Sequence, residues 1–578
     1  ELAGGDSNSK GIGGRKNILD RFVVGVSQLL QRQGGFYLAF FIFNCLPMCC
    51  YMVMKKNGEA MCSFAGFMLL INLLLVFLLD KLPDRPQKWL KNILLVVFFV
   101  PFVIEGVVVY NYTALIGVGV VASLLETNLK EAGEFITMYA GPQEIAGVIA
   151  LLCILALLAL NKPWRKLHFD AVGKKVLTSC LLAVSLIYTV MLFSLHIDVL
   201  WDTMFPMQRL VLSSKTAFEN IQAYRELSAK LDTDIQLTRN DGKIKNVVFI
   251  LGESTNRNHM HLYGYYLPNT PNLDDMANRG EISVFRDVVS PHSTTIAVLS
   301  KLFTFCHNES DKPWYEYNNL IDIMNSAGYK THWLSNQESS GIWGNVAQIY
   351  AAHSKVSHFT RIRDSREDDG LEDGALFPLV DDAIAQRAGD KNFYVVHLMG
   401  GHGLYYNRFP YIFNKFTKDD IQLDVNEAQK EVIAQYDDAL YYNDYVVSGI
   451  IDKYRELQED SIVIYVPDHG EAVYDEGGFT GHIEENPSRH MIEIPVIVWA
   501  SDKFKELHPE KWAAIQQAVN RPYMTDDMIH TVLDIVDIQT SDYDATRSII
   551  NPNFDATRPR IFDNKDYDRE ILTGLTNS

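Results

Sequence analysis

Five long apolar runs crowd the first 195 residues: Phe36–Met54, Met61–Leu79, Ile93–Val109, Ile145–Leu160 and Val176–Leu195. A helix of about 20 apolar residues crosses a hydrocarbon core of about 30 Å. The fourth run is short and extends back to Gln143. Runs this close together leave no polar faces for a water-soluble bundle. The chain is therefore expected to hold a five-span transmembrane domain over 36–200, after an N-terminal arm over 1–35. A linker over 201–245 and a compact domain over 246–578 would follow.

Lysine and arginine set the orientation. Lys16, Arg21 and Arg32 lie before the first run, Lys81, Arg85, Lys88 and Lys91 before the third, and Lys162, Arg165, Lys166, Lys174 and Lys175 before the fifth. These share one side, which should be cytoplasmic; Lys55 and Lys56 disagree and are outnumbered. Five spans starting inside place everything after about residue 196 outside, the periplasm in a Gram-negative cell. No cleavable signal peptide is evident, and the first span would serve as signal anchor. Asn17–Gln33 is a candidate interfacial helix on the cytoplasmic side.

Two polar features in this half stand out. Glu105 lies near the end of the third run, where it either snorkels to the outer interface or faces a lipid cavity. Ser123, Thr127 and Glu131 fall on one face of a helix at four-residue spacing. That stripe is either a solvated face or a membrane-surface site for a lipid head group.

The net charge of −19 belongs mostly to the second half and argues against nucleic acid as a partner. Cys306 is the single cysteine of that half, so no disulfide forms within it. Its apolar runs, Val247–Leu251, Thr331–Leu334, Phe393–Met399, Ile462–Val466 and Pro495–Trp499, alternate with helical stretches at Leu320–Ala327, Leu376–Arg387, Asn426–Glu456 and Thr525–Val536. Leu210–Leu231 reads as a bridging helix. Alternation of this kind predicts an α/β domain with a mostly parallel central sheet.

Two of the strands end abruptly in chemistry. Val247–Leu251 runs into Gly252-Glu253-Ser254-Thr255, and Ile462–Val466 runs into Pro467-Asp468-His469-Gly470-Glu471. Ligands of open α/β sheets bind beyond the carboxyl ends of the strands. Glu253, Asp468 and His469 offer two carboxylates and an imidazole, a donor set that suits zinc with one position kept for a reacting group. The hydroxyl cluster Ser293-Thr294-Thr295 opens a helical pattern, Ile296–Phe305. Its hydroxyls either cap that helix or supply a nucleophile at a helix N-terminus. His402, His482 and His490 lie in loops between apolar runs, as structural histidines or as contacts to phosphate or a second metal.

The strings Gly252-Glu253-Ser254-Thr255-Asn256-Arg257, Leu262-Tyr263-Gly264-Tyr265, His397-Leu398-Met399-Gly400-Gly401-His402-Gly403 and Asp468-His469-Gly470-Glu471, with the five-span anchor, resemble the bacterial phosphoethanolamine transferases of the alkaline phosphatase/sulfatase superfamily. Asn486–Met491 and Asp542–Ser548 look most like the subfamily that modifies lipopolysaccharide core heptose. The resemblance implies that Glu253, Thr295, Asp468 and His469 bind a catalytic zinc, with Thr295 as nucleophile. A second zinc during turnover stays open. The resemblance implies that His402 and His482 hold the transferred group or a second zinc, and that Thr127 and Glu131, with Ser123 where many relatives have Asn, contact the ethanolamine head group; His490 is a further candidate for contact with the transferred group. Lipid A-modifying relatives flank the nucleophile with a disulfide; Pro291 and Lys301 occupy those places here, which disfavours lipid A as acceptor. The implied reaction is transfer of phosphoethanolamine from phosphatidylethanolamine to a lipopolysaccharide sugar or another envelope glycan, at the bacterial inner membrane. The alternatives are a phosphoglycerol transferase of the lipoteichoic acid synthase kind and a non-catalytic partner in envelope polysaccharide assembly.

Overall fold

The computed structural model describes residues 18–112, 114–118, 120–121, 124, 147, 171–196, 205–229, 235–338, 346–361, 372–387, 389, 391–476 and 478–572. It divides into two compact units, Glu1–Ile116 with Gly141–Leu212, and Gly117–Ala140 with Ser213–Ser578.

The first unit is helical: α1 (Ile18–Met54), α2 (Gly58–Leu79), α3 (Asp84–Tyr112), α4 (Ala171–Leu195) and the start of α5 (Pro206–Ala229). Among the described residues, α1 to α4 are the four helices long and apolar enough to cross a membrane. The fifth apolar run, Ile145–Leu160, lies outside the described residues. The candidate interfacial helix does not exist as a separate element, because α1 runs unbroken for 37 residues. Gln33, where a break was expected, is satisfied inside the bundle: its amide donates to Asp80 Oδ1 at 2.9 Å and accepts from Lys91 Nζ at 2.8 Å. With that polar group paired, nothing forces the helix to turn towards water.

Glu105 of α3 neither snorkels nor faces a cavity. Arg209 Nε of α5 donates to its Oε2 at 2.6 Å, and Arg209 Nη2 reaches Oε1. Glu105 is 0% exposed and Arg209 3%, so the pair is closed off from solvent. By contrast, Ile93, Val96 and Val100 of α3, with Leu186, Ile187 and Val190 of α4, are exposed apolar side chains of the kind that face lipid.

The second unit is built on a seven-stranded sheet. In chain order its strands are β1 (Asn246–Gly252), β2 (Ile282–Phe285), β3 (Lys330–Glu338), β4 (Val356–Arg361), β5 (Asn392–His397), β6 (Ser461–Pro467) and β7 (Val496–Ala500). In space they run 2-7-6-1-5-3-4. β7 is antiparallel to both its neighbours, and the pairs from β6 to β4 are parallel. β1 is buried along its whole length. Val247, Phe249 and Leu251 enter one core cluster and Val248 and Ile250 the other. Each such buried side chain contributes about 1.5–3 kcal/mol. Helices α6 (Thr295–Leu302), α7 (Leu320–Ser326) and α10 (Met528–Val536) cover the first face; α8 (Leu376–Ala385) and α9 (Glu427–Glu456) cover the second.

The strands and helices expected over residues 246–578 are all present, with shifted ends. The helix expected from Thr525 starts at Met528, its first three residues forming a 3-10 turn. The edge strands β2 and β4 were not foreseen. β2 has four residues, and β4 carries His358, Thr360 and Arg361, so neither shows the long apolar run of a central strand.

Candidate active site

The register of β1 against β6 builds the site. Gly252 pairs with Pro467 in parallel, so the next residues, Glu253 and Asp468, leave the sheet side by side. Ser254 then turns the chain in the left-handed region at φ 51°, and its N–H donates to Asp468 Oδ1 at 3.1 Å. The His469 N–H donates to the same oxygen at 2.7 Å. Asp468 Oδ2 is left buried with no hydrogen-bond partner. His469 Nδ1 lies 2.8 Å from the Gly470 carbonyl, which can only accept; Nδ1 therefore carries the proton, and Nε2 offers its lone pair. That Nε2 stands 3.4 Å from both Glu253 Oε1 and Asp468 Oδ2. Gly400 packs against this turn at φ +49°, where a Cβ would fall 2.4 Å from the Glu253 carbonyl oxygen.

Thr295 opens α6 and brings the hydroxyl. Its Oγ lies 3.2 Å from Glu253 Oε2 and 3.3 Å from His469 Nε2. Helix capping does not account for the cluster: Thr294 occupies the N-cap and makes no side-chain capping bond. The Thr295 hydroxyl instead points into the acid–imidazole group.

Electrostatics make this arrangement incomplete. Burial, and then the neighbouring Asp468 charge, push the Glu253 carboxyl up to about 8. Burial also raises Asp468. Burial, followed by the charge of His482, lowers His469 to about 4, so it is a neutral ligand at pH 7. Glu253, Asp468 and His469 place one ligand atom each within 4.8 Å of one another. Two buried carboxylates, an unpartnered oxygen and an imidazole lone pair fit a divalent cation, with Thr295 Oγ as a fourth donor.

His482 adjoins this centre, its ring centroid 4.2 Å from that of His469. Its Nδ1 pairs with Glu471 Oε2 at 2.6 Å, and Tyr405 OH donates to the other Glu471 oxygen at 2.7 Å. Burial lowers His482, but the charge and hydrogen bond of Glu471, joined by the charges of Glu253 and Asp468, together prevail and raise the imidazole to about 9. His469, Glu471 and His482 form a second group of metal-ligand geometry. The His402 ring lies 6.3 Å from that of His482. His490 sits with Asn256, 3.2 Å from its Nδ1, and with Asp475 and Glu476 at 3.6 Å. Ser123, Thr127 and Glu131 lie outside the described residues.

Three side chains escaped the sequence reading. Glu471 directly follows the Asp-His-Gly triplet, a signal that was available. Gln337, whose Nε2 lies 3.4 Å from Glu253 Oε2, and Glu484, described below, carry no local pattern.

The sulfatase family profile matches residues 245–538, just over half of the chain, and the chain belongs to that family. Within it, similar relatives share one description. Phosphoethanolamine transferase EptC of Escherichia coli (strain K12) is 31% identical over 318 residues, 54% of each chain. Phosphoethanolamine transferase CptA of Salmonella typhimurium is 30% identical over 319 residues, again 54% of each. The matched region thus spans about half the length of these curated relatives. The solved zinc complex of the C-terminal periplasmic domain of EptC from Escherichia coli has a TM-score of 0.54 and 29% identity, covering 59% of this chain and 97% of that one. Lipooligosaccharide phosphoethanolamine transferase A from Neisseria meningitidis, an integral membrane protein, has a TM-score of 0.63 and 22% identity, covering 89% of this chain and 97% of that one, a likeness of fold.

Proposed function

We propose that this protein is an inner-membrane phosphoethanolamine transferase with its catalytic unit in the periplasm. Its donor is phosphatidylethanolamine, and its acceptor is a lipopolysaccharide sugar, with core heptose preferred. One observation carries the reading: Thr295 Oγ meets Glu253 and His469 at 3.2 and 3.3 Å beside the unpartnered Asp468 oxygen. The names of the relatives supply the transferred group.

Zinc held by Glu253, Thr295, Asp468 and His469 would supply a Lewis acid that lowers the pKa of the Thr295 hydroxyl. Thr295 first loses its proton to bulk water; its Oγ then attacks phosphorus, the bond to the diacylglycerol oxygen breaks, and Thr295 carries phosphoethanolamine as a diester. His482, paired with Glu471, protonates the leaving oxygen. An acceptor sugar hydroxyl then attacks the same phosphorus, gives its proton back to His482, and the bond to Thr295 breaks. Four helices able to cross a membrane suit an enzyme whose donor and acceptor are both lipid-bound.

The test is mass spectrometry of the Thr295 peptide after incubation with phosphatidylethanolamine. A phosphoethanolamine adduct on Thr295 is expected; a glycerol phosphate adduct would transfer the protein to the phosphoglycerol class. Envelope glycolipids should lose a phosphoethanolamine increment in a Thr295→Ala strain. An unchanged glycolipid profile would remove the acceptor class.

A further inference from the structure

We infer that Glu484 is a positioning residue that holds the nucleophile segment at its working distance from the loop carrying His482; the inference rests on the transferase reading. Glu484 lies two residues beyond His482 and reaches back to the residues before Thr295. Its Oε2 accepts from the Ser293 N–H at 3.0 Å, and its Oε1 pairs with His292 Nδ1 at 2.5 Å. Ser293 Oγ also faces Oε2, at 3.4 Å.

The rest of the segment is tied down one residue at a time. The Ser290 N–H donates to the Ile492 carbonyl at 2.8 Å, and Ser290 Oγ donates to the His292 carbonyl at 2.7 Å. Asn308 Nδ2 donates to the Pro291 carbonyl at 3.1 Å, and Lys301 Nζ pairs with Asn308 Oδ1. Ser293 is fully buried, and Glu484 is what its N–H and hydroxyl meet. Thr294 follows with no side-chain capping bond, so α6 has no cap of its own to fix where Thr295 begins. One carboxylate thus grips two consecutive residues just ahead of the nucleophile, and its own backbone continues into the loop of His482. Displacing a reacting group by about 1 Å costs on the order of 10²-fold in rate.

The experiment compares Glu484→Ala and Glu484→Gln in the full-length, zinc-loaded protein. It reads the single-turnover rate of Thr295 adduct formation against phosphatidylethanolamine concentration. Glu484→Ala is expected to lower the saturating rate about 10- to 100-fold with the half-saturating lipid concentration unchanged. Glu484→Gln keeps an acceptor for the Ser293 N–H and a partner for His292, so it should stay within about threefold of wild type. Hydrogen exchange of the peptide spanning residues 288–299 should quicken in Glu484→Ala alone. An alanine variant with wild-type rate and exchange would overturn the inference, as would a glutamine variant as slow as alanine. A wild-type protein that forms no adduct would instead sink the transferase reading, and the exchange comparison would still decide whether Glu484 clamps the segment.

Discussion

In the helical unit, Glu105 is fully buried and is met by both ends of the Arg209 guanidinium. In the α/β unit, Glu253 and Asp468 are as deeply buried, yet they face each other across a neutral imidazole and a hydroxyl. Among the described residues no lysine or arginine forms a salt bridge with either. The first carboxylate is completed by its own chain and serves the architecture. The second pair is left short of positive charge, and such a deficit inside a folded domain marks a place for something from outside. Burial alone does not separate the two cases; the partner does.

This contrast can be broken in several ways. The largest effect belongs to the hydroxyl between the two acids. Thr295→Ala should reduce turnover by about 10⁴-fold or more, with zinc retained in part and secondary structure unchanged; adduct formation by intact-mass measurement is the readout. Residual turnover within tenfold of wild type would remove Thr295 as nucleophile. Next comes the cation. Asp468→Asn preserves an oxygen for the Ser254 and His469 N–H groups but loses the charge, so elemental analysis should find the site largely empty of zinc. Wild type should release zinc on acidification, since the ligands must be deprotonated to bind.

The sharpest comparison is one of sign. Arg209→Ala strands Glu105 and should destabilise the detergent-solubilised protein by about 3–5 kcal/mol. Glu253→Gln in zinc-free protein should stabilise it, because it removes a charge that burial and Asp468 disfavour. The pH dependence follows. Glu253 binds its proton more tightly when folded, about 8 against 4.5. Zinc-free stability should therefore fall as pH rises from 4.5 to 8 and level off above, and Glu253→Gln should flatten that slope. Thermal melts across this range decide it; equal destabilisation by Arg209→Ala and Glu253→Gln would erase the distinction between the two units.

The smallest effect concerns a third buried charge, completed like Glu105. His259 lies between Asp437 at 3.1 Å and Asp475 at 2.9 Å. Burial works against its charge, but the two carboxylates prevail and raise it to about 10. Its stabilisation is full below about pH 6.5 and is lost as pH rises through 10. His259→Asn should cost about 1–3 kcal/mol at pH 6 and much less near pH 10. A deficit independent of pH would mean that the histidine is neutral.

How much of this was legible in the sequence depended on whether the signal was local. The central strands announced themselves because a strand buried on both faces is apolar throughout, as in Val247–Leu251. The polar residues at their ends stood out against that background, which is how Glu253, Asp468 and His469 were found. Thr295 is ambiguous in sequence, since a threonine before an apolar helix reads equally as a cap; what the fold adds is the direction of its hydroxyl, towards Glu253 and His469. Glu105 stands out in an apolar run, but nothing near it in sequence accounts for it, because Arg209 lies in a different helix far along the chain. Glu471 directly follows the Asp-His-Gly triplet, so its signal is local. Glu484 had no signature, since its partners, His292 and Ser293, are brought to it by the fold alone.

The pairing of Gly252 with Pro467 has a temporal meaning as well. Glu253 is made early and Asp468 and His469 late, with most of the domain between them. A ribosome must finish the sixth strand before Glu253, Asp468 and His469 can meet, so a prematurely terminated product lacks the donor set.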